Sequence, residues 1–277
     1  NPNLDADFLK SKILVNFFFE NSTRTRTSFE IAAKKMGAEV VNIDISISSL
    51  KKGESIVDMS KTINAMFPDF VAIRHNLSGI IALLKKHINR ASIINAGDGT
   101  NEHPTQSLLD AFTIRRHKKD FKNLKVAICG DVLHSRVARS NIKLLTKLGC
   151  KISVITPQTL ITKDYKNWLK ENWNVELYCD LESGIKDADV VMMLRIQQER
   201  MSGCYIPSLG EYFRYFGLSE NSIKFAKSDV LILHPGPINR EVEISSNLAD
   251  DKNHSAILDQ VESGVVVRQA VLKFLNF

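Results

Sequence analysis

A chain of 277 residues with 44% hydrophobic and 25% charged side chains is long enough for two ordinary globular cores and too balanced for a disordered or fibrous protein. Its net charge of +6 comes without a lysine-rich arm or an aromatic–basic nucleic-acid motif, so the surplus cations are expected to attract small anions rather than nucleic acid. Cys129, Cys150, Cys179 and Cys204 form no C-x-x-C pair, which argues against zinc and a disulfide framework and fits a reducing cytoplasm; no apolar run approaches a membrane span, and no signal peptide is visible.

In chain order, residues 13–19 read as a buried strand. Small hydroxyls alternating with arginines follow, then a helix over about 24–36 that buries Phe29, Ala32, Ala33 and Met36 and stops at Gly37. A strand at 39–43, a polar loop at 46–53, a helix over about 55–66 and a short strand at 70–73 come next. The last of these stops at Arg74-His75-Asn76. Helix is expected at 78–86 and strand at 92–95, running into the flexible turn Ala96-Gly97-Asp98-Gly99-Thr100. His103-Pro104 opens a helix to about His117, with proline at the favoured first position.

The charged run 115–122 is the best domain boundary. A second alternating unit has strands at 125–129, 151–155, 175–178, 189–194 and 230–233 and a helix over 135–147. A final helix over about 255–275 is expected to pack back on the first domain. The pattern predicts an α/β protein of two doubly wound parallel-sheet domains joined by helices, with the active site in the cleft between them. The expected division is 1–119 plus 255–277 for one domain and 120–254 for the other.

Ligands in open α/β sheets bind beyond the carboxyl ends of the strands, and polar residues recur at those places here. Ser22, Thr23 and Thr25 sit at a helix start, where free N–H groups and the dipole suit a phosphate, and Arg24 adds a fork that matches two phosphate oxygens. The competing reading is an N-capped helix with solvated arginines. Arg26, turned away around the helix, reads as structural. Arg74, His103 with Gln106, Arg136, Arg195 with Gln197, and the Pro235-Gly236-Pro237 turn occupy equivalent strand ends. Together they describe an anion pocket almost free of carboxylates. His103 and Gln106 lie one helical turn apart, and with no Cys or Ser partner in a nucleophile motif, His103 fits donor work on a carbonyl oxygen better than proton shuttling. Arg136 reads equally as a carboxylate ligand or a solvated helix arginine. The loop holding Ser48, Ser49, Lys51, Lys52 and Gly53 reads locally as solvated or as a lid, and Asp98 as orienting either His103 or its turn. Gly130-Asp131 lacks the G-x-G-x-x-G of a dinucleotide fold.

The sequence Ser22-Thr23-Arg24-Thr25-Arg26 resembles the carbamoyl phosphate signature of the carbamoyltransferases, and His103-Pro104-Thr105-Gln106 their second signature. Lys52-Gly53-Glu54, Arg195-Ile196-Gln197 with Glu199-Arg200, and His234-Pro235-Gly236-Pro237 resemble the aspartate branch of that family, the aspartate carbamoyltransferase catalytic chains, rather than the ornithine branch with its His-Cys-Leu-Pro. The resemblance covers nearly the whole chain in order. It implies carbamoyl transfer from carbamoyl phosphate to the amino group of L-aspartate in de novo pyrimidine biosynthesis, without metal, cofactor or covalent intermediate. The first domain would bind carbamoyl phosphate and the second aspartate.

Ser22, Thr23, Arg24 and Thr25 would grip the phosphate, with Arg74 bridging phosphate and carbonyl. His103 and Thr25 would donate to the carbonyl oxygen, and Gln106 with the backbone around Gly236 and Pro237 would hold the carbamoyl amide. Arg136, Arg195 and Gln197 would take the aspartate carboxylates. Lys52, with Ser48 or Ser49, would arrive from a neighbouring subunit of a cytoplasmic homotrimer with shared active sites, leaving open a regulatory chain. The family's leading helix, which packs on the last one, is not in the sequence. Glycine at 236 in place of a relative's leucine alters bulk but not backbone contacts.

Overall fold

A computed structural model describes residues 6–44, 53–197 and 205–276 of the chain. Packing divides it into two compact units, Asn1–Thr105 with Val261–Phe277, and Gln106–Gln260.

The first unit holds β1 (Ile13–Phe18), α1 (Thr23–Lys34), β2 (Glu39–Asp44), α2 (Ile56–Ala65), β3 (Phe70–His75), α3 (Ile80–Leu84) and β4 (Ser92–Asp98). The strands form one parallel sheet in the order β2-β1-β3-β4. Because side chains alternate along a strand, each strand feeds two cores. Leu14 and Phe18 face Phe29, Ala32, Ala33 and Met36 of α1 and its end, while Val15 and Phe17 face Met59 and Ile63 of α2 and Leu84 of α3. The fully buried Phe29 contributes on the order of 2–3 kcal/mol by area alone.

The second unit begins in α4 (Pro104–Lys118) and continues through β5 (Lys125–Cys129), α5 (Arg136–Lys147), β6 (Lys151–Ile155), α6 (Lys163–Trp173), β7 (Glu176–Tyr178), α7 (Leu181–Ile185), β8 (Val190–Met193), α8 (Leu209–Phe216), β9 (Leu231–Leu233), α9 (Ser246–Ala249) and α10 (Ile257–Leu275). Its parallel sheet runs β7-β6-β5-β8-β9. Val126, Ile128, Val190 and Met192 pack with Ala111 and Ile114 of α4 and Ile142 of α5; Ala127, Cys129, Val191 and Met193 pack with α7 and α9 on the opposite face. Both sheets are therefore doubly wound, as the alternation of elements predicts.

The packing division falls inside α4 and inside α10. Ala111 and Ile114 put most of α4 into the second unit's core, whereas the sequence reading assigns that helix to the first domain. Beyond Gln260, α10 joins the first unit: Val265, Val271, Leu272 and Leu275 enter the α1-side core, and Ser92 Oγ donates to the Leu275 carbonyl at 3.2 Å. β3 runs two residues further than expected, through Arg74 and His75. Its ladder with β4 resumes after an irregularity at Ile73/Arg74. Among the described residues, no helix is long and apolar enough to cross a membrane.

Candidate active site

In each sheet the chain winds outward from one strand and then returns to that strand's other side. The switch falls between β1 and β3 in the first sheet and between β5 and β8 in the second, and the carboxyl ends flanking such a switch form a binding crevice.

In the first unit, β1 leads directly into α1. Ser22 is the N-cap, yet its hydroxyl makes no capping bond, and the first turn carries no acidic residue. The first-turn N–H groups have no intrahelical acceptor, so the helix start is set up for an external anion. Thr25 is buried, whereas Thr23, Arg24 and Arg26 are exposed.

Phe18 is in register with Arg74, and Arg74 with Gly97, so the residues leaving these three strands emerge side by side. Arg74 Nη1 donates to the Ala96 carbonyl at 3.2 Å and lies 3.3 Å from His103 Nε2. A guanidinium can only donate, so Nε2 accepts and the neutral ring carries its proton on Nδ1. His103 is 4% exposed. Thr105, two residues on, is held by Arg268 Nη2 at 3.4 Å, and the Arg268 guanidinium lies 4.9 Å from the Phe29 ring centroid.

Asp98 settles its alternatives in favour of the turn: it accepts from Gly79 N at 2.8 Å and Asn101 Nδ2 at 2.9 Å. Gly99 is obligatory there, since a Cβ would meet Ser78 Oγ at 2.2 Å and φ is +52°. Beside Arg74, the His75 ring lies 4.7 Å from Phe19 and accepts Leu77 N–H at Nδ1; burial lowers its pKa.

The expectation of a pocket almost free of carboxylates needs correction here. Glu20 Oε1 lies 2.7 Å from Arg74 Nε, both side chains largely buried. Glu20 is 54 residues from Arg74 in sequence, and only the β1–β3 pairing brings them together.

In the second unit, Cys129 pairs with Met193, and Met192 with Leu233, so the segments after β5, β8 and β9 emerge together. Gly130 allows a close approach: a Cβ would sit 2.9 Å from the Leu194 carbonyl, at φ +125°. Asp131, fully buried, accepts from His134 N and Nδ1 and fixes the loop into α5. Ser135 caps α5 through Ala138 N, and Arg136 at its first position is 4% exposed, with no acidic residue in that turn. A solvated helix arginine is thereby excluded. Gln197 Nε2 donates to the His134 carbonyl at 3.2 Å, which ties the Arg195 segment to the Arg136 segment.

Glu243, also fully buried, accepts from Ile196 N at 3.0 Å, Asn239 N at 2.8 Å and Asn239 Nδ2 at 2.8 Å, with His234 Nε2 at 3.6 Å. One carboxylate thus pins both the 195–197 segment and the 234–239 turn, where Gly236 (φ +67°) precedes a cis Pro237. Gln106 Nε2 donates to the buried Asp110 at 2.9 Å. Sequence reasoning passed over Glu20, Asp110 and Glu243; only the i,i+4 spacing of Gln106 and Asp110 was visible in advance.

Lys52, Ser48 and Ser49 lie outside the described residues. Among those described, no group of three or more His, Cys, Asp or Glu side chains is gathered as a metal would require. Burial drives the Cys129 thiol far up and the Cys150 thiol to about 11, so neither supplies a thiolate near neutral pH.

The carboxyl ends of the switch-point strands and the segments that leave them carry cationic side chains, Arg24 and Arg74 in the first unit and Arg136 and Arg195 in the second. Residues 2–116 match the aspartate/ornithine carbamoyltransferase carbamoyl-P binding domain and residues 122–275 the Asp/Orn binding domain of the same family. The chain belongs to the aspartate/ornithine carbamoyltransferase family. It is 53% identical over 276 residues to the aspartate carbamoyltransferase catalytic subunit of Rhodospirillum rubrum, covering 100% of this chain and 85% of that protein. Among solved structures, the aspartate transcarbamoylase of Trypanosoma cruzi in complex with carbamoyl phosphate and aspartate is 28% identical at a TM-score of 0.84, covering 97% of this chain and 86% of that one. The ornithine carbamoyltransferase of Pyrococcus furiosus is equally similar, at 28% identity and a TM-score of 0.84 over 97% of this chain and 85% of that one.

Proposed function

We propose that the protein transfers the carbamoyl group of carbamoyl phosphate to the amino group of L-aspartate, yielding N-carbamoyl-L-aspartate and inorganic phosphate. The observation that carries aspartate over ornithine is the 53% identity to an aspartate-branch catalytic subunit across the whole chain. Structural likeness alone is equal for the two branches. The chemistry agrees: Arg136 and Arg195 suit a dicarboxylate, whereas ornithine's side-chain cation would prefer acidic partners.

The residues divide the work as follows. Ser22, Thr23, Arg24 and Thr25 bind the phosphate, using the open helix start and the exposed Arg24 fork. Arg74 spans phosphate and carbonyl oxygen, and must exchange Glu20 for substrate to do so. Thr25 and His103 donate to the carbonyl oxygen as it becomes negative. Gln106 and the backbone of Gly236 and Pro237 hold the carbamoyl NH2, while Arg136, Arg195 and Gln197 take the two carboxylates.

The amine nitrogen attacks the carbamoyl carbon, the bond from that carbon to the phosphate oxygen breaks, and the departing phosphate takes the amine proton. Holding both substrates together makes the step effectively intramolecular, worth several kcal/mol. On this reading the first unit is the carbamoyl phosphate-binding domain and the second the aspartate-binding domain. The likeness to the aspartate branch also supports a cytoplasmic homotrimer serving pyrimidine synthesis, with Lys52 and Ser48 or Ser49 crossing to a neighbour's site.

The test is an acceptor assay with carbamoyl phosphate and either L-aspartate or L-ornithine. Carbamoyl aspartate is the expected product; citrulline, or no product from either acceptor, would overturn the reading.

A further inference from the structure

Four polar side chains of the second unit, with the backbone N–H of His234, form one connected buried network. Asp110, with no exposed surface, accepts Gln106 Nε2 at 2.9 Å and Gln260 Nε2 at 2.7 Å on Oδ1, and Asn141 Nδ2 at 2.7 Å on Oδ2. Gln260 Oε1 in turn accepts the His234 N–H at 2.9 Å. Asn141 Nδ2 also donates to the Val137 carbonyl at 3.1 Å.

The chemistry of these groups fixes how each carboxamide is turned. A carboxylate accepts, so Gln106 and Gln260 both direct their NH2 groups at Asp110, and each carboxamide oxygen is left facing the other way. For Gln260 that oxygen holds His234, the first residue of the turn that continues through Gly236 and Pro237. For Gln106 it remains an acceptor at the start of α4.

A carbamoyl group differs from an acyl group in one respect, an NH2 that needs acceptors. We infer that Asp110 is the positioning residue for recognition of the carbamoyl NH2: it orients Gln106 so that Oε1 is the acceptor presented, and through Gln260 it sets the 234–237 turn whose backbone supplies the other. The inference rests on the proposed function, and it explains why a charged residue is sealed inside α4. Replacing either carboxamide's partner by a donor would let the amide flip and present NH2 to NH2, which is repulsive where it had been attractive.

The experiment compares three ligands that share a phosphate. Carbamoyl phosphate carries the NH2, acetyl phosphate replaces it with CH3, and inorganic phosphate lacks the carbonyl group altogether. In Asp110→Asn the KM for carbamoyl phosphate should rise at least tenfold, about one hydrogen bond's worth, while inhibition constants for acetyl phosphate and inorganic phosphate stay within about twofold. A parallel weakening of all three would mean a general structural role and overturn the assignment, as would no weakening at all. Asn141→Ala, which removes a donor to Asp110 without touching either acceptor arm, should lower the melting temperature and leave the three-ligand ratio unchanged; a ratio shifted as far as in Asp110→Asn would overturn it too. If Asp110→Asn does not fold, Gln260→Leu is read by the same ratio, and an unchanged ratio there counts against the inference. Wild-type carbamoyl aspartate formation is measured first: an inactive wild type defeats the proposed function and this inference with it, whereas an active wild type with an unselective Asp110→Asn defeats only the latter.

Discussion

His103→Ala probes the proposed chemistry most directly. The His103 ring is 4% exposed and its Nε2 accepts from Arg74 Nη1 at 3.3 Å, which places the ring proton on Nδ1. The Arg74 contact is at the long end of hydrogen bonding, and losing it costs at most about 1 kcal/mol. Losing a donor to a developing oxyanion costs about 3 kcal/mol, or roughly a hundredfold in kcat. The two losses are thus separable: a large fall in kcat with little change in substrate KM. Removing a buried ring also leaves a hole, so His103→Asn serves as the companion variant. It refills part of the volume, accepts from Arg74 with its oxygen and offers an NH2 donor, and should recover about tenfold of the lost rate. The assay is the initial rate of carbamoyl aspartate formation at saturating substrates, with melting followed on the same samples. A folded His103→Ala enzyme with kcat within about threefold of wild type would refute the donor role.

Arg24→Ala should raise the inhibition constant of inorganic phosphate at least tenfold, since an Arg–phosphate pair is worth about 1.5–3 kcal/mol; unchanged inhibition would remove Arg24 from the phosphate site. Glu243→Gln keeps the shape but turns an NH2 toward donors now met by a carboxylate. It should cost about 1–3 kcal/mol in denaturant unfolding, and a midpoint equal to wild type would contradict the pinning role. The hydrogen bond to Asp251 raises the His254 pKa above its ordinary 6.5, and the same bond lowers Asp251 below 3.8. The pair therefore contributes in full between about pH 4 and 6.5, and loses that contribution as pH rises through the raised histidine pKa or falls through the lowered aspartate pKa. His254→Gln should accordingly depress the melting temperature more at about pH 5.5 than at about pH 9; an equal or reversed difference would exclude the ion pair as the cause. Inactive Lys52→Ala and His103→Ala proteins, mixed under conditions of subunit exchange, should regain partial activity if sites are shared, and no recovery would argue for self-contained subunits.

The strands were legible because burial on both faces leaves uninterrupted apolar runs: β5 and β6 begin and end where the sequence places them, and β1 within a residue. Arg74 looked like a strand terminator from composition, yet the ladder with β4 carries the backbone through it. Between 156 and 230 the reading found strands only. α7 is five residues long, too short for a periodic stripe, whereas α6 carries Tyr165, Trp168, Leu169 and Trp173 at helical spacing, a signal that was there and passed over.

The candidate ligands stood out because each follows a strand, a rule that needs only local pattern. Their supports did not. Glu20 meets Arg74, Glu243 meets Ile196 and Asp110 meets Gln260 across 54, 47 and 150 residues, distances over which sequence spacing says nothing about geometry. Asp110 offered only its i,i+4 spacing from Gln106 on a face shared with Ser107 and Thr113, a pattern that reads equally as a solvated helix side.

The closing half of α10 has a consequence for how the polypeptide matures. Leu272 is fully buried against α1, and Ser92 bonds to a carbonyl 183 positions later. During synthesis from the amino end, the α1-side core of the first sheet therefore stays incomplete until residues 261–275 have left the ribosome. Nascent chains halted before residue 261 should leave that core open to proteases and chaperones, so the first unit is completed only after the strands of the second have been made.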